Sequence, residues 1–596
     1  MFRRMAASVL GPTVLRRSIL TIAALLAATL IIITPRLRDV QMESRGVITP
    51  LPNLEILTSG SASPVTVRFA MQTNRMTSRR FHVTTVGCLE QFAVNGTHIE
   101  LPLKCSGGDT RWMTQDLDLT SSIRSGWNNM EATVTDPGKV GQRVQLRFSL
   151  LPSVFRDPGF IFVRFLFLIL LSLVVIFIVR KWITEDPWLL LIVMAGIILR
   201  WEYAFGTDIE IRSHDWWGHL EYLRALSKGW HLPPAGAGWE FQQPPLYYAI
   251  GAVIMRLGAL LHWPQGFAEF WVQKNSILLS VATLLLALWI GTMLLKKEKW
   301  MERIFVGIVA TLPGFVAVSS QISNDTLVTP LLFLACGLLL LWWKRPTWKL
   351  WITIWVTSAF AFLTKANGVT VLPVALLCVA LHPMLRAKKK AILSLAGLSI
   401  FTFGTSWMIA ARVQATPEDV RHFLAVGIPG FQENVRVHYA TSDFLIFNPI
   451  EIWKRPFIVS FREELERKKF LEYFFRSAIL SNLRTQGPLF AAPIVAYSLL
   501  LLPWMIWGLL SEVHKKNKDA LPFYLFSLSV LCAAIALLLV TRFISNQHFR
   551  YSTLLGLTGA YFIVRGLQQS PAVLRMAGMV ITTFLCTLMS TFILVQ

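Results

Sequence analysis

The sequence predicts a polytopic, all-α membrane protein with an N-terminal β-sandwich domain outside the membrane. The chain of 596 residues is 54% hydrophobic and 15% charged, with a mean hydropathy of +0.53, which is too apolar for a soluble protein of this length. Apolar runs of about 17–25 residues, long enough to cross a bilayer as helices, recur after residue 159. Between residues 39 and 155 the pattern changes to short alternating runs separated by turn residues, which is typical of strands.

The first element is an apolar run at residues 18–34 that follows Arg3, Arg4, Arg16 and Arg17. Positive residues stay on the cytoplasmic side of a membrane helix, so we expect the N-terminal end of this run in the cytoplasm. A cleaved signal peptide begins in the same way, but this run ends in TPRLRD without a small-residue cleavage site. Residues 1–38 are therefore predicted to be a cytoplasmic N-terminus and an uncleaved membrane anchor.

Residues 39–155 are predicted to form the extracytoplasmic β-sandwich. The stretches VTVRFAM, RFHVTTV, QFAVNGTHIEL, NNMEATVTD and RVQLRFSL read as strands, and Asn95-Gly96 is a strong hairpin signal. Cys88 and Cys105 lie in this polar segment, whereas the other four cysteines lie in apolar runs. We expect a disulfide between Cys88 and Cys105 if the segment faces an oxidising compartment, with two free thiols as the alternative.

Residues 156–596 are predicted to be a multi-helix membrane domain, which together with the anchor gives about 13 spans. Two outer loops, residues 205–273 and 412–487, interrupt the series, and by parity both face the same side as the β-sandwich. The predicted spans after the anchor are 159–179, 187–204, 274–295, 303–321, 326–343, 349–364, 369–383, 391–411, 488–510, 522–541, 552–568 and 574–594.

The positive charge of the chain lies mainly in short connectors between the predicted spans. Lys and Arg number 57 against 34 acidic residues. The basic stretches are RK at 180–181, KKEKW at 296–300, KRPTWK at 344–349, RAKKK at 386–390 and HKKNK at 514–518. All have the same parity, so the positive-inside rule places them in the cytoplasm. No basic patch with interleaved aromatic residues occurs in a soluble segment, which argues against nucleic acid as a partner.

The first outer loop carries the residues that favour chemistry. It contains an amphipathic helix between Asp215 and a rigid Pro244-Pro245 pair, followed by Tyr247 and Tyr248. Such a loop can hold a polar side chain at the boundary between membrane and water, where aromatic side chains are favoured. Most spans carry no charge at mid-depth, whereas ion-coupled transporters usually place ionisable groups there.

Four motifs resemble those of the integral-membrane GT-C glycosyltransferases, especially the protein O-mannosyltransferase-like and aminoarabinose-transferase-like branches. They are an acid with a nearby His before QPPLYY, the ISND stretch at 322–325, LTKANG at 363–368 and HFRY at 548–551. Each motif is short, but all four occur in the family's order over residues 187–568. The chain departs from the Asp-Glu pair of the aminoarabinose branch, because Trp216 follows Asp215.

The β-sandwich is no part of the core shared by that family. Its stretches QFAVNGTHIELP and DLDLTSSIRSGWNNMEATVTD resemble a galactose-binding-like jelly roll, an accessory carbohydrate module. A structural cap without a sugar site is the alternative interpretation of this domain.

The GT-C resemblance implies transfer of a sugar from a polyprenyl-phosphate carrier to a glycan, lipid or protein acceptor outside the cytoplasm. A sugar on a lipid phosphate already has a good leaving group, so one carboxylate can suffice as the base of an inverting displacement. Asp215 is the candidate base, and His219, one helical turn further along, can orient it or touch the substrate. Lys365 and Arg550 at outward helix ends are the candidate cations for the departing phosphate.

The same motifs nominate five further substrate-binding residues, namely Gln243, Tyr247, Asn324, Asp325 and Tyr551. Most of these candidates also have a purely structural interpretation. The acids and Asn324 can cap the helices that follow them. Lys365 and Arg550 can be snorkelling anchors, and Tyr247 and Tyr248 can belong to an aromatic belt.

No cofactor and no metal-ligand set is predicted, although Asp208 and Glu210 could join Asp215 in holding a divalent cation. The expected partners are a lipid-linked sugar, its acceptor and the bilayer, with the protein in the cytoplasmic (inner) membrane and its active site on the extracytoplasmic face. A transporter or flippase of lipid-linked sugars is one rival hypothesis, which the scarcity of mid-membrane charges and the lack of an inverted repeat disfavour. A non-catalytic sugar-binding scaffold is the other.

Overall fold

The computed structural model describes residues 12–595 with several gaps, and the chain forms two compact units. The first unit is Met1–Thr184 with Val253–Val272, and the second is Glu185–Ala252 with Gln273–Gln596. The gaps are residues 45–46, 51–63, 76, 78, 87, 103–112, 136–146, 153–156, 184–185, 208–214, 230, 236–237, 239, 264, 296–297, 414–445, 458–468, 482–487, 516 and 542–547. Cys105, Asp208 and Glu210 therefore lie outside the described residues.

The first unit contains a membrane helix, a region of antiparallel sheet and a second membrane helix. The described strands form a six-stranded sheet in the order β2-β1-β3-β8-β5-β6 and a three-stranded sheet in the order β7-β4-β9. The elements are α1 (Pro12–Ile33), β1 (Arg36–Ser44), β2 (Val47–Pro50), β3 (Val65–Thr73), β4 (Arg80–Val86), β5 (Cys88–Val94), β6 (Thr97–His98), β7 (Met113–Asp118), β8 (Gly126–Thr135), β9 (Arg147–Pro152) and α2 (Pro158–Ile183).

The alternation of apolar and polar residues in the sequence explains these sheets. On β3, Val65, Val67 and Phe69 point to one buried face, and they pair in antiparallel register with buried residues of β8. At the turn between β5 and β6, Asn95 and Gly96 have φ values of 51° and 81°, which suit a two-residue hairpin turn. All pairings between the described strands are antiparallel, in keeping with the strand region that the sequence predicted, whereas the jelly-roll assignment stays a prediction.

A helix cap joins the sheet region to α2, and one cysteine of the region is disulfide-bonded. Asp157 caps α2, because its carboxylate accepts a hydrogen bond from the Phe160 amide at 3.0 Å, and it also accepts one from the Arg79 amide at 3.3 Å. Cys88, at the start of β5, is disulfide-bonded. Because Cys105 lies outside the described residues, the Cys88–Cys105 pairing itself stays a prediction.

The second unit is helical. Its elements are α3 (Pro187–Phe205), α4 (Trp216–Lys228), α5 (Leu246–Leu260), α6 (Gln265–Leu294), α7 (Lys299–Thr311), α8 (Pro313–Ala317), α9 (Asp325–Lys344), α10 (Trp348–Thr364), α11 (Val371–Leu381), α12 (Ala387–Val413), α13 (Pro449–Lys454), α14 (Phe470–Ile479), α15 (Pro488–Lys515), α16 (Leu521–Thr541), α17 (Thr553–Gln569) and α18 (Ala572–Leu594), of which α5 and α6 begin or end in the first unit. The described part of the chain contains four 3-10 turns, at Val318–Ser320, Ala366–Thr370, Lys518–Ala520 and Phe549–Ser552.

The chain is a multi-pass membrane protein. Among the described residues, nine helices are long and apolar enough to cross a membrane, and a tenth span results if the bent pair α7 and α8 is counted as one. This is fewer than the 13 predicted spans. The remaining three predictions fall on helices shorter than 18 residues, namely α10, the Ala366–Leu381 segment and α17.

The first outer loop differs from its prediction. Residues 205–273 contain α4, the apolar helix α5 and the beginning of α6, which starts at Gln265 rather than at residue 274. The predicted start of this helix lies too far along the chain because Gln273 and Lys274 interrupt the apolar pattern. Both are buried, and they donate hydrogen bonds to backbone carbonyls, Gln273 to Thr207 at 3.1 Å and Lys274 to Ala204, so these polar side chains are tolerated inside the helix.

The predicted span 303–321 is bent by 53° between α7 and α8. Pro313 has no amide hydrogen, so the carbonyl of Val309 loses its helical partner. The buried guanidinium of Arg200 on α3 replaces it, donating to Val309 at 3.1 Å and to Ala310 at 2.8 Å. Arg200 therefore stabilises the bend by satisfying backbone groups that a membrane interior cannot solvate.

Candidate active site

Asp215 stands immediately before helix α4 but does not cap it. Its backbone is left-handed, with φ 55°, and its carboxylate makes no hydrogen bond to the helix amides. A left-handed non-glycine residue is uncommon, although Asp tolerates the conformation better than most. The carboxylate instead pairs with the Arg550 guanidinium, with 3.2 Å between Oδ2 and Nη2. The interpretation of Asp215 as a simple helix cap is therefore wrong.

Asn324 and Asp325 begin helix α9, and neither side chain acts as a conventional cap. Asn324 has no capping hydrogen bond; its amide donates to the Gln243 side chain at 3.1 Å and to the Thr364 carbonyl at 3.3 Å. The carboxylate of Asp325 accepts a hydrogen bond from Lys365 and lies 3.8 Å from the Arg550 guanidinium. Both side chains thus join separate segments of the second unit.

Lys365 follows the last residue of α10, and its ammonium group is turned inward. It pairs with Asp325 and lies 4.4 Å from the centre of the Tyr551 ring. The side chain is only 11% exposed. A snorkelling lysine would extend its ammonium toward water, so that interpretation does not fit Lys365.

Arg550 lies in the 3-10 turn Phe549–Ser552 that precedes α17. The turn is held by His548, whose Nδ1 accepts the Arg550 amide at 3.1 Å. The guanidinium of Arg550 donates to the Tyr551 hydroxyl at 2.8 Å, and its central carbon lies 4.8 Å from the centre of the Tyr551 ring. The Tyr551 ring is therefore within cation–π distance of both Lys365 and Arg550.

These four charged residues form what we call the ionic cluster: Asp215, Asp325, Lys365 and Arg550. Two carboxylates face two cations, so the cluster is balanced in charge. The side chains of Asp325, Arg550 and Lys365 are 1%, 5% and 11% exposed, whereas Asp215 is 35% exposed. Asp215 is therefore the member of the cluster that solvent or a substrate can reach.

His219 lies one helical turn after Asp215 and is buried against the packed rings of Tyr222, Tyr247 and Tyr248, which we call the aromatic column. Its Nδ1 is 2.8 Å from the Tyr248 hydroxyl, and Tyr248 stacks on Tyr222 with 4.0 Å between ring centres. Burial lowers the pKa of His219 to about 3, although the Asp215 carboxylate opposes that shift. His219 is therefore neutral near pH 7 and positions α4 without adding charge to the cluster.

Gln243 and Tyr247 border the same region. Gln243 contacts Asn324 through its side chain and accepts a hydrogen bond from the Tyr222 hydroxyl at its backbone carbonyl, at 3.4 Å. Tyr247 is buried and meets Tyr248 edge to face, with 5.4 Å between ring centres. Tyr247 therefore contributes to the aromatic column.

Glu240 is a site residue that the sequence interpretation missed. It is buried, and burial together with the Asp215 charge raises the pKa of its carboxyl to about 8, while Lys365 and Arg550 oppose the shift. Glu240 is thus mainly protonated at neutral pH. The available signal was its place three residues before Gln243, in the turn that leads to Pro244-Pro245.

The part of the second outer loop that the structure describes contacts the turn that carries Arg550. Helix α14 belongs to this loop, and the Ser477 hydroxyl accepts a hydrogen bond from the Phe549 amide at 2.9 Å. This contact lies one residue before Arg550. The loop therefore supports the turn that presents the guanidinium.

A divalent cation has no assembled ligand set within the described part of the chain, where no group of three or more His, Cys, Asp or Glu could hold a metal. Asp208 and Glu210, the acids that the sequence offered beside Asp215, lie outside the described residues. Cation binding there stays a hypothesis.

Comparisons with known proteins give structural likenesses. No protein-family model and no curated protein matches the chain. Among solved structures, 21 chains match. An oligosaccharyltransferase of Archaeoglobus fulgidus has a TM-score of 0.41 and 13% identity over 68% of this chain and 53% of its own. ArnT of Cupriavidus metallidurans has a TM-score of 0.34 and 13% identity over 64% of this chain and 78% of its own. Arabinosyltransferase EmbB of Mycobacterium smegmatis has a TM-score of 0.30 and 12% identity over 96% of this chain and 64% of its own.

This chain thus spans about half the length of the archaeal oligosaccharyltransferase that it matches. Related structures contain a dolichol-phosphate with an inhibitory peptide in the archaeal enzyme, undecaprenyl phosphate in ArnT, and Zn with sulfate in the archaeal enzyme. At these low TM-scores the likenesses carry no functional information for this chain, so its own residues must supply it.

Proposed function

We propose that this protein is an inverting glycosyltransferase of the GT-C type, which moves a sugar from a polyprenyl-phosphate donor to an extracytoplasmic acceptor. The observation that supports this best is the ionic cluster. Motifs far apart in sequence, up to 335 residues between Asp215 and Arg550, meet in one place. A buried pair of cations and an accessible carboxylate are the groups that phosphate departure and proton removal require.

The reaction needs one base and one site for the leaving group. An acceptor hydroxyl attacks the anomeric carbon of the donor sugar, and the bond from that carbon to the phosphate oxygen breaks. The phosphate leaves with the electron pair, and the hydroxyl proton passes to the carboxylate of Asp215. Such proton transfer contributes about 10²- to 10⁴-fold to a rate.

Lys365 and Arg550 are the proposed phosphate ligands. Each already pairs with a carboxylate, so the site accepts anions, and at Arg550 an incoming phosphate can take the place of Asp215. Asp325 is almost fully buried and stays with Lys365, whereas Asp215 is accessible. Displacement of Asp215 from Arg550 by the donor phosphate would free its carboxylate to act as the base.

The neutral groups beside the cluster support this role. His219 near pH 7 carries no charge, so it does not compete with Arg550 for the Asp215 carboxylate. Glu240, mainly protonated, does not add a third negative charge that would repel the donor phosphate. Both side chains therefore help to keep Asp215 as the accessible anion of the site.

We further propose that the cluster faces the extracytoplasmic side. Asp325 starts α9 and Lys365 follows α10, whereas the basic connector at residues 344–349 joins the other ends of the same two helices. A 20-residue helix is about 30 Å long, so the cluster and the connector are separated by roughly a membrane thickness. The positive-inside rule places the connector in the cytoplasm.

The test compares Asp215→Asn with a matched control, Asp39→Asn. Asp39 is also left-handed, with φ 53°, and also pairs with an arginine, at 3.1 Å, but it lies in strand β1. With purified protein and polyprenyl-phosphate sugars, Asp215→Asn should lose about 10²- to 10⁴-fold in transfer rate and stay folded. The control should keep wild-type activity.

Two results would overturn the proposal. Full transfer by Asp215→Asn would remove this residue as the base. A wild-type protein that moves labelled donor lipid across vesicles but forms no glycosylated product would be a flippase instead. Lys365→Ala and Arg550→Ala should weaken donor binding, and unchanged affinity in both would return them to structural roles.

A further inference from the structure

A polar cavity of about 540 Å³ lies between helix ends of the second unit. The cavity lies at the C-terminal ends of α6, α9, α15 and α17, beside the 3-10 turn Lys518–Ala520. Its charged lining residues are Lys344, Lys515, Arg565, Glu512 and Asp519. None of these residues belongs to the ionic cluster.

The cavity and the ionic cluster lie at opposite ends of the same helix. Helix α9 runs from Asp325, in the cluster, to Lys344, in the cavity wall. Twenty residues of helix span about 30 Å, which is close to the thickness of the hydrocarbon core of a bilayer. The cavity also includes residues of the basic connectors that the sequence places in the cytoplasm.

One wall of the cavity is a closed hydrogen-bond network. The buried carboxylate of Glu512 accepts hydrogen bonds from Tyr524 and, at 2.9 Å, from Tyr561, and it lies 3.2 Å from the Arg565 guanidinium. Arg565 also donates to the Gln568 side chain at 2.7 Å. Glu512 and Arg565 neutralise each other, so this wall supplies shape and rigidity more than net charge.

The rest of the lining leaves a positive surplus. Among the described lining residues, three side chains are cationic and two are acidic, so their formal charges sum to +1. One phosphodiester would neutralise that surplus. The apolar part of the lining, with Met293 and Met301, can contact a glycerol backbone or the first methylenes of an acyl chain.

We propose that this cavity binds the phosphodiester headgroup of an anionic glycerophospholipid, with Lys344 and Lys515 pairing with the phosphate. Its volume lies within the range of about 300–1,000 Å³ that small-molecule sites occupy. Basic pockets between membrane helices on the cytoplasmic side are a recognised way of holding such headgroups. The site is independent of the sugar-transfer chemistry, because it shares no residue with the ionic cluster.

The competing explanation is that the lysines only neutralise helix ends. The Lys344 ammonium donates to the Met293 carbonyl at 3.0 Å, near the end of α6. Cations are favoured at helix C-termini, so this contact needs no ligand. Glutamine at position 344 can still donate to that carbonyl, so the variant below tests the charge while it keeps the cap.

The experiment measures lipid binding to the full chain. Purified protein in a neutral detergent is titrated with phosphatidylglycerol, with phosphatidylcholine and with soluble glycerophosphoglycerol, and occupancy is read by native mass spectrometry. The wild type should bind one phosphatidylglycerol in preference to phosphatidylcholine. Lys344→Gln/Lys515→Gln should weaken that binding about 30-fold, from the contribution of two lysines near an anionic lipid.

The matched control is Lys349→Gln/Lys518→Gln. It removes the same charge from the same two connectors, but both lysines are exposed and neither lines the cavity. The control should bind phosphatidylglycerol as the wild type does. An equal loss in both double variants would mean general surface attraction and would overturn the site. Equal affinity for soluble glycerophosphoglycerol would overturn the lipid as the ligand, and unchanged binding in Lys344→Gln/Lys515→Gln would overturn the proposal altogether.

Discussion

Replacement of Asp325 by Asn should destabilise the protein more than any other single change in the ionic cluster. The Asp325 side chain is 1% exposed, it pairs with Lys365, and it lies 3.8 Å from the Arg550 guanidinium. Asparagine keeps the shape but removes the charge. Arg550 retains Asp215 at 3.2 Å, so Lys365 is the cation that loses its counter-ion.

The magnitude follows from this burial. Removal of one partner of a buried ion pair typically costs about 3–5 kcal/mol, because the other charge is left without compensation. The Tyr551 ring lies 4.4 Å from the Lys365 ammonium in the wild type and remains there in the variant, so this cation–π contact does not change the difference between the two proteins. We therefore expect Asp325→Asn to lower the free energy of unfolding by about 3–5 kcal/mol. Asp39→Asn, at an exposed pair, should cost under about 1 kcal/mol.

The assay is a double-mutant cycle with Asp325→Asn, Lys365→Gln and the combined variant. The free energy of unfolding of each variant and of the wild type is measured by equilibrium unfolding in detergent. Once the ammonium is gone, loss of the carboxylate should matter less, so the two changes should couple by about 1–3 kcal/mol. A coupling energy near zero, or a loss in Asp325→Asn no larger than that in Asp39→Asn, would refute the buried pair as the centre of the cluster.

Three further predictions concern donor binding, pH and helix packing. Arg550→Lys keeps the charge but loses the planar fork that contacts Asp215 and Tyr551, so donor affinity should fall about tenfold in a direct binding assay. Folded Glu240, with a pKa near 8, holds a proton that the unfolded chain has already lost above pH 4.5. The contribution of Glu240 to the free energy of unfolding therefore declines as pH rises from 4.5 to 8, by about 1.4 kcal/mol per pH unit. The free energy of unfolding of Glu240→Gln, measured at several pH values, should not show that decline. A Cβ at Gly566 would overlap a backbone carbonyl of α15, so Gly566→Ala should lower stability by about 1–3 kcal/mol, whereas Gly559→Ala, whose Cβ meets only a methionine sulfur at 3.6 Å, should not.

The elements whose signal is local were predictable from the sequence. Strand β3 and its partner β8 alternate in the sequence as they alternate in burial, because successive side chains of a strand point to opposite faces. The hairpin at Asn95-Gly96 followed from the residues that its backbone conformation requires. Long apolar runs such as α2 were equally clear, since length and hydropathy alone make a membrane helix.

Elements whose polar residues find partners far away in the chain were predicted less well. Helix α6 begins at Gln265 because the polar side chains of Gln273 and Lys274 are satisfied by carbonyls outside the helix, which hydropathy cannot anticipate. The bend after α7 depends on Pro313, which is visible in the sequence, and on Arg200, which is not visible as its partner. In both cases a long-range hydrogen bond decided the outcome.

The candidate site divides in the same way. The resemblance of short motifs nominated Asp215, Lys365 and Arg550, and the structure places all three in one ionic cluster. The sequence did not distinguish Asp325, almost wholly buried, from Asp215, which is partly exposed. Glu240 escaped notice because its only signal in the sequence is its place in the turn before Gln243; its importance arises from burial beside Asp215.

The sequence by itself therefore determined the membrane character, the strand region and the order of the motifs, because these depend on composition and on neighbours within a few residues. The tertiary structure alone decided which carboxylate is buried, which cations share the Tyr551 ring, and which helix ends enclose the opposite cavity. Burial and Coulomb interaction depend on distances between residues that lie far apart in the chain, and only the folded protein sets those distances.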